Sequence, residues 1–169
     1  MGYVKLMLHF VLGGARSGKS RHAEALIERH PPPWRYLATA EAFDEEMRAR
    51  IALHRDRRGA GWITEDTPLD LPTALAAARE PVLVDCLTLW LTNLMLGGHD
   101  VGRATEALLV ALERAVPTVL VSNEVGLGIV PEHALARRFR DAAGVLHQRV
   151  AGMADGVVLM VAGIEMRVK

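Results

Sequence analysis

The sequence predicts an α/β fold in which a mainly parallel sheet is covered by helices on both faces. Three observations carry that expectation. Runs such as Val82-Leu83-Val84 and Val119-Leu120-Val121 are apolar without alternation, as strands buried on both sides are. Segments of helical periodicity alternate with those runs along the chain. The stretch Gly13-Gly14-Ala15-Arg16-Ser17-Gly18-Lys19-Ser20 fits G-x-x-x-x-G-K-[ST] between an apolar run and a helical pattern, the context a phosphate loop requires. The expected class is therefore a P-loop NTPase domain, one unit spanning residues 1–169, since a chain of 169 residues sits within the usual ~100–200 per domain.

Taken in order, Leu6 to Leu12 has the length and apolarity of a buried strand, and Arg21 to Arg29 carries Ala23, Leu26 and Ile27 at helical spacing. His30 and three successive prolines end that helix, and Arg35 to Thr39 reads as a second strand. Asp44 is a helix N-cap candidate for Glu45 to Arg58, whose Met47, Ile51 and His54 share a stripe. Gly59 and Gly61 stop it, and Trp62 to Glu65 is a brief strand or an extended loop. Ala74 to Arg79 forms a short helix after Pro72, and Val82 to Asp85 a strand ending in a carboxylate, the Walker B pattern. Leu87 to Leu96 is a helix with a broad apolar face, broken by Gly97 and Gly98 at a more mobile connection. Then follow a helix from Thr105 to Val116, a strand from Thr118 to Ser122, a glycine-containing loop from Asn123 to Pro131, and the longest helix, Glu132 to Met153. Val157 to Ala162 is the last apolar strand, and Ile164 to Lys169 pairs at an edge.

Lys plus Arg equals Asp plus Glu at 20 each, which argues against a general attraction to nucleic acid or membrane. Cys86 is the only cysteine, so no internal disulfide forms and a reducing cytoplasm is the expected compartment. The apolar start after Lys5 resembles a secretory signal but is short, contains His9, and cleavage near Ala15 would destroy the phosphate loop. Leu87 to Leu96 is interrupted by Thr88, Thr92 and Asn93 and is too short to span a bilayer. A soluble protein is expected.

The residue types of the loop follow from phosphate chemistry. Gly13, Gly14 and Gly18 let the backbone turn tightly and aim N–H groups inward at the positive end of a helix dipole. Lys19 sets a cation against the β and γ phosphates, and the Ser20 hydroxyl is a ligand for Mg²⁺. Asp85, at a strand's C-terminal end, either holds that Mg²⁺ through water or caps the following helix. Cys86 beside it reads as a small packing residue. His54 has Arg50, Arg57 and Arg58 about one helical turn away; like charges keep an imidazole neutral and nucleophilic, and the same arginines can neutralise phosphates. The other reading of His54 is a member of the apolar stripe with Met47 and Ile51. The Asn-Lys-x-Asp box of regulatory GTPases is absent, and Asn123 to Pro131 should share the rim of the sheet with the phosphate loop, as a site element or as a simple strand-to-helix turn.

Together these stretches resemble the bifunctional adenosylcobinamide kinase / adenosylcobinamide-phosphate guanylyltransferase family of cobalamin biosynthesis, from about Phe10 to Lys169. The resemblance rests on Gly13 to Arg21, Arg50-Ile51 with His54, Trp62-x-Thr64-Glu65, Val84-Asp85-Cys86-Leu87-Thr88, and Asn123-Glu124-Val125-Gly126 through Pro131. It implies phosphorylation of adenosylcobinamide by ATP or GTP, then transfer of GMP from GTP to adenosylcobinamide phosphate through a GMP-histidine intermediate, with His54 at the position of that histidine. It also implies catalytic Lys19, and nucleotide contacts from Gly13, Gly14, Ala15, Arg16, Ser17, Gly18, Lys19 and Ser20, from Ala38, Thr39 and Ala40, from Arg55, Asp56, Arg57 and Arg58, and from Glu65 and Asp85. Ser20 and Asp85 are the expected Mg²⁺ ligands. A homotrimer is implied too, with a possible interface role for the helix around Trp90. Glu165 stands where the family often has proline, and the start of the chain is somewhat longer than usual; neither touches the expected chemistry. A monofunctional P-loop kinase and a nucleotide-regulated binding module are the competing readings.

Overall fold

The computed structural model describes residues 7–41, 45 and 58–169. The expected strand start at Leu6, the Asp44 cap and all but the ends of the Glu45–Arg58 helix lie outside the described residues, with Met47, Ile51 and His54 among them. The strands are β1 (Leu8–Gly13), β2 (Trp34–Ala38), β3 (Trp62–Asp66), β4 (Val82–Asp85), β5 (Thr118–Asn123), β6 (Gly156–Val161) and β7 (Ile164–Arg167). The helices are α1 (Lys19–Ile27), α2 (Leu71–Ala77), α3 (Leu87–Leu96), α4 (Val101–Leu112) and α5 (Ala134–Met153).

The strands form one sheet in the order β3-β2-β4-β5-β1-β6-β7. All pairs are parallel except β6 with β7, whose turn at Ala162-Gly163 is tight enough for an antiparallel edge hairpin. One face packs Phe10, Leu37, Val84 and Leu120 against Leu75, Trp90, Leu108 and Leu146 from α2 to α5. The other packs Val11, Tyr36, Leu83 and Val121 against Ala23, Leu26 and Ile27 of α1. Burying each large side chain of this kind contributes roughly 1.5–3 kcal/mol, which is why strands without a polar face are stable only between two helical layers. The expected fold class is what the structure has.

Trp90 is fully buried, and its indole N–H donates to the Leu69 carbonyl at 2.9 Å. Core packing, the other reading of this helix's apolar face, accounts for the Trp90 side chain. Helix α4 begins four residues before the sequence suggested, because Asp100 caps it: its carboxylate accepts the Arg103 N–H at 3.0 Å, offsetting the cost of Gly102 in the first turn. It also ends earlier, where Arg114 turns back to donate to the carbonyls of Leu75 and Ala78 behind α2. Helix α2 starts at Leu71, with Pro72 in the first turn where no amide donor is missed. Trp62–Asp66, ambiguous in sequence, is a true strand: Trp62 packs on Trp34 with ring centroids 5.4 Å apart and donates to Glu28 at 3.1 Å.

The register brings the functional ends of the strands to one rim. Gly13 lies opposite Asn123 on one side and Met160 on the other, Asp85 opposite Val121, and Ala38 opposite Asp85. Strand β5 therefore stands between the strand that ends in the phosphate loop and the strand that ends in Asp85.

Candidate functional site

The loop from Gly14 to Gly18 joins β1 to α1, so its amides face the N-terminus of a helix. Gly18 has φ 91°, and a Cβ there would lie 3.3 Å from Gly163 Cα, so both backbone conformation and space call for glycine. Arg16 holds a left-handed φ of 54°, which bends the crown of the loop. The loop is braced from both sides: Glu124 N–H donates to the Gly13 carbonyl at 3.1 Å and Gly163 N–H to the Ser17 carbonyl at 3.0 Å. Lys19 Nζ donates to the Gly14 carbonyl at 2.9 Å, so the ammonium lies across the loop with no carboxylate paired to it among the described residues. The Ser17 hydroxyl is buried without a hydrogen-bond partner. An open cradle of amides, a cation held across it and an orphaned hydroxyl together suit an oxyanion.

Asp85, on the same rim, accepts a hydrogen bond on Oδ2 from the Tyr36 hydroxyl at 3.0 Å. Burial, reinforced by Asp85, pushes the Tyr36 phenol well above its ordinary range, so this hydroxyl stays protonated and donates. That bond leaves Oδ1 of Asp85 for other partners. With Ser20 in the first turn of α1, the donor set fits Mg²⁺, which binds through one or two protein oxygens, waters and substrate phosphates; among the described residues no three His, Cys, Asp or Glu cluster into a protein cage.

Behind Asp85 lies a buried polar network. Thr39 is fully buried; its hydroxyl accepts from Cys86 N–H at 2.8 Å and donates to the Cys86 carbonyl at 2.7 Å. Asn93 donates to the carbonyls of Thr39 and Pro68, at 2.8 and 3.0 Å, and Asn123 donates to Thr88 Oγ1 at 2.8 Å. Burial first, then the Asp85 charge, pushes the Cys86 thiol up to about 11, which makes it a packing residue as the sequence suggested.

Of the expected site residues, Gly13 to Ser20 are contiguous around the loop, and Ala38, Thr39 and Asp85 stand on the same rim, with Ala40 next along the chain. The Thr39 hydroxyl is committed to Cys86, its N–H to the Asp85 carbonyl at 3.2 Å and its carbonyl to Asn93, so this fully buried residue holds the rim from behind and is no direct nucleotide contact. Glu65, on β3, pairs with Arg35 at 2.7 Å, and Arg35 also grips Glu80 through two bonds of 3.1 Å; the Arg35 guanidinium holds the Glu80 carboxyl down to about 2. Arg58 lies over the Tyr36 ring, its Cζ 3.6 Å from the centroid, and its Nη2 donates to Thr64 Oγ1 at 3.4 Å. His54, Arg55, Asp56 and Arg57 lie outside the described residues. Sequence reasoning missed Tyr36 and Asn93. Tyr36 reads only as one of the apolar positions of a strand, and Asn93 as an interruption in an apolar helix, although a lone amide in such a helix is itself a sign of a buried partner.

The chain resembles known proteins over nearly its whole length. The family model described as cobinamide kinase / cobinamide phosphate guanyltransferase matches residues 9–168. The bifunctional adenosylcobalamin biosynthesis protein CobU of Salmonella typhimurium is 44% identical, the alignment covering 96% of this chain and 100% of that protein. The bifunctional adenosylcobalamin biosynthesis protein CobP of Pseudomonas aeruginosa is 48% identical, over 96% of this chain and 98% of that one. Among solved structures, a prototypical ATPase from the type III secretion system of pathogenic bacteria aligns with TM-score 0.55 at 16% identity, over 90% of this chain and 50% of that chain, a likeness of fold alone. The phosphate loop, the Walker B carboxylate and the match over residues 9–168 agree, and the chain belongs to the cobinamide kinase / cobinamide phosphate guanyltransferase family.

Proposed function

We propose that this chain carries out both reactions of its family on one rim of the sheet, phosphorylating adenosylcobinamide and then guanylylating its phosphate through His54. The observation that carries the reading is the position of Arg58. It stacks on Tyr36, and Tyr36 bonds Asp85, so the guanidinium of a residue four along the sequence from His54 is linked to the Walker B carboxylate through one tyrosine. Four residues reach at most ~14 Å, a length that supports the reading in which His54 works on a triphosphate bound along this rim.

In the kinase reaction, the loop amides and Lys19 hold and neutralise the donor's phosphates, ATP or GTP, and positioning supplies much of the rate. In the transfer reaction, neutral His54 attacks the α-phosphorus of GTP. A nitrogen–phosphorus bond forms, the bond to the bridging oxygen breaks, and pyrophosphate departs with its electron pair against Lys19 and the arginines at positions 55, 57 and 58. The phosphate of adenosylcobinamide phosphate then displaces the imidazole to give adenosylcobinamide-GDP. Mg²⁺ held by Ser20 and Asp85 supplies charge neutralisation to the phosphates when bound. Ala38, Ala40, Glu65, Asp56 and the loop complete the nucleotide contacts, with Thr39 bracing them from behind.

The reading includes a homotrimer in the cytoplasm. The exposed apolar side chains Leu127, Ile129 and Val130 offer surface for association, and no helix among the described residues is long and apolar enough to cross a membrane. The test is incubation with α-labelled GTP and Mg²⁺. Acid-labile, alkali-stable label on the protein that disappears in His54→Asn is the expected result. No label on folded protein that still phosphorylates adenosylcobinamide would leave a monofunctional kinase.

A further inference from the structure

The two reactions differ in one respect that the phosphate loop cannot serve. The first acceptor is a neutral alcohol, which must lose a proton as its oxygen bonds to phosphorus. The second is a phosphate monoester, already anionic at neutral pH because its second pKa is about 6. The kinase reaction therefore has use for a proton acceptor, and the transfer reaction has none.

Against the N-terminal half of the phosphate loop lies a cleft of about 600 Å³, within the ~300–1,000 Å³ of small-molecule sites. Its walls are Gly14 to Ser17, then Glu124, Val125, Leu127 and Gly128, and apolar Leu159, Met160 and Val161. Among its lining residues only Arg16 and Glu124 carry ionisable side chains, and of the two only the carboxylate is a proton acceptor, a guanidinium having none. The Asp85 carboxylate is no substitute, being one strand further away and already bonded to Tyr36.

Glu124 is fixed there by the backbone on both sides. Its N–H donates to the carbonyl of Gly13, the residue from which the phosphate loop departs, at 3.1 Å. Its carboxylate Oε1 accepts the Gly126 N–H at 2.6 Å, and a Cβ on residue 126 would sit 3.0 Å from that same oxygen. Glycine at 126 thus lets the chain curl around the carboxylate and hold one oxygen, while Oε2 has no hydrogen bond among the described residues.

We infer that Glu124 is a catalytic residue of the kinase reaction, accepting the hydroxyl proton of the acceptor alcohol bound in this cleft. The proton passes to Oε2. The electron pair it leaves forms the oxygen–phosphorus bond to the γ-phosphoryl group, and the bond from that phosphorus to the bridging oxygen breaks, its pair leaving with the nucleoside diphosphate. The inference rests on the kinase activity of the family and deepens it.

Glu124→Gln separates this role from a structural one, because glutamine's carbonyl oxygen can still accept the Gly126 N–H but cannot take a proton. The rates of adenosylcobinamide phosphorylation and of guanylyl transfer to adenosylcobinamide phosphate are measured on the same full-length preparation, beside Glu124→Ala and Glu124→Asp. General-base catalysis is typically worth ~10²–10⁴-fold, so the ratio of kinase to transfer rate should fall at least about 10²-fold in Glu124→Gln, as far as in Glu124→Ala, with Glu124→Asp between. A fall of less than about tenfold in that ratio overturns the inference, whether neither rate changes, as a purely structural contact predicts, or both fall together, as a shared nucleotide contact predicts. Wild-type chain that phosphorylates no adenosylcobinamide would overturn the functional reading itself.

Discussion

Gly13→Ala and Gly14→Ala, adjacent in the phosphate loop and equivalent on paper, should differ sharply in stability. Gly13 ends β1 and is paired to strands on both sides, and a Cβ there would run first into the Ser17 hydroxyl and would lie 2.9 Å from the Met160 carbonyl oxygen and 3.1 Å from Met160 Cβ. Ordinary contact begins near 3.4 Å; the Ser17 hydroxyl can turn away, but about 0.5 Å must still be found against the Met160 carbonyl, which is sheet backbone and cannot swing aside. A Cβ on Gly14 meets nothing within 4 Å, and its φ is not left-handed. Both substitutions remove the same unfolded-chain freedom, ~0.4–1 kcal/mol, so that contribution cancels between them. What remains is overpacking at Gly13, ~1–3 kcal/mol, or roughly 5- to 150-fold in the unfolding constant. Urea unfolding without nucleotide, followed by tryptophan fluorescence, measures it. Variants that agree within ~0.5 kcal/mol, or a less stable Gly14→Ala, would refute the packing argument.

Lys19→Ala should slow phosphorylation and guanylyl transfer together, each by ~10²-fold or more, because one cation serves both triphosphates; unchanged rates in both assays would contradict the assignment of the loop. A third prediction concerns pH. Burial lowers the pKa of His147, opposed by the charge of Glu124, and its Nε2 lies 2.8 Å from Ser122 Oγ. The folded-state pKa is below the unfolded value of 6.5, so as pH falls through 6.5 the unfolded chain takes up a proton that the folded chain refuses, and stability drops. His9 is shifted the same way by burial, so His147→Gln should flatten part of the fall in urea midpoint between about pH 7.5 and 5.5, leaving the His9 share. An unaltered pH slope would count against it.

Much of this molecule is legible in its residues. Strands with no polar face require two covering layers, so a doubly covered parallel sheet follows from Val82-Leu83-Val84 and Val119-Leu120-Val121 alone. The G-x-x-x-x-G-K-[ST] spacing specifies an anion cradle because each residue type has a local backbone or charge role, and local roles are what a sequence records directly. Helix ends were less legible. The helix expected from Thr105 begins at Val101 under the Asp100 cap, and Arg114 ends α4 through carbonyls nearly forty residues away.

What only the tertiary structure decided is which groups meet across strands. Tyr36 and Asp85 are far apart along the chain, and their bond exists because β2 and β4 pair with Ala38 opposite Asp85. Glu124 is one polar residue in a glycine-containing loop until β5 is set beside β1, which brings its amide onto Gly13 and its carboxylate to the mouth of the cleft. The sequence by itself determined the phosphate loop and the layers that bury the sheet, since both are written in short-range pattern. The order of the strands, and with it the neighbours of each carboxylate on the rim, depends on long-range pairing that no local pattern encodes.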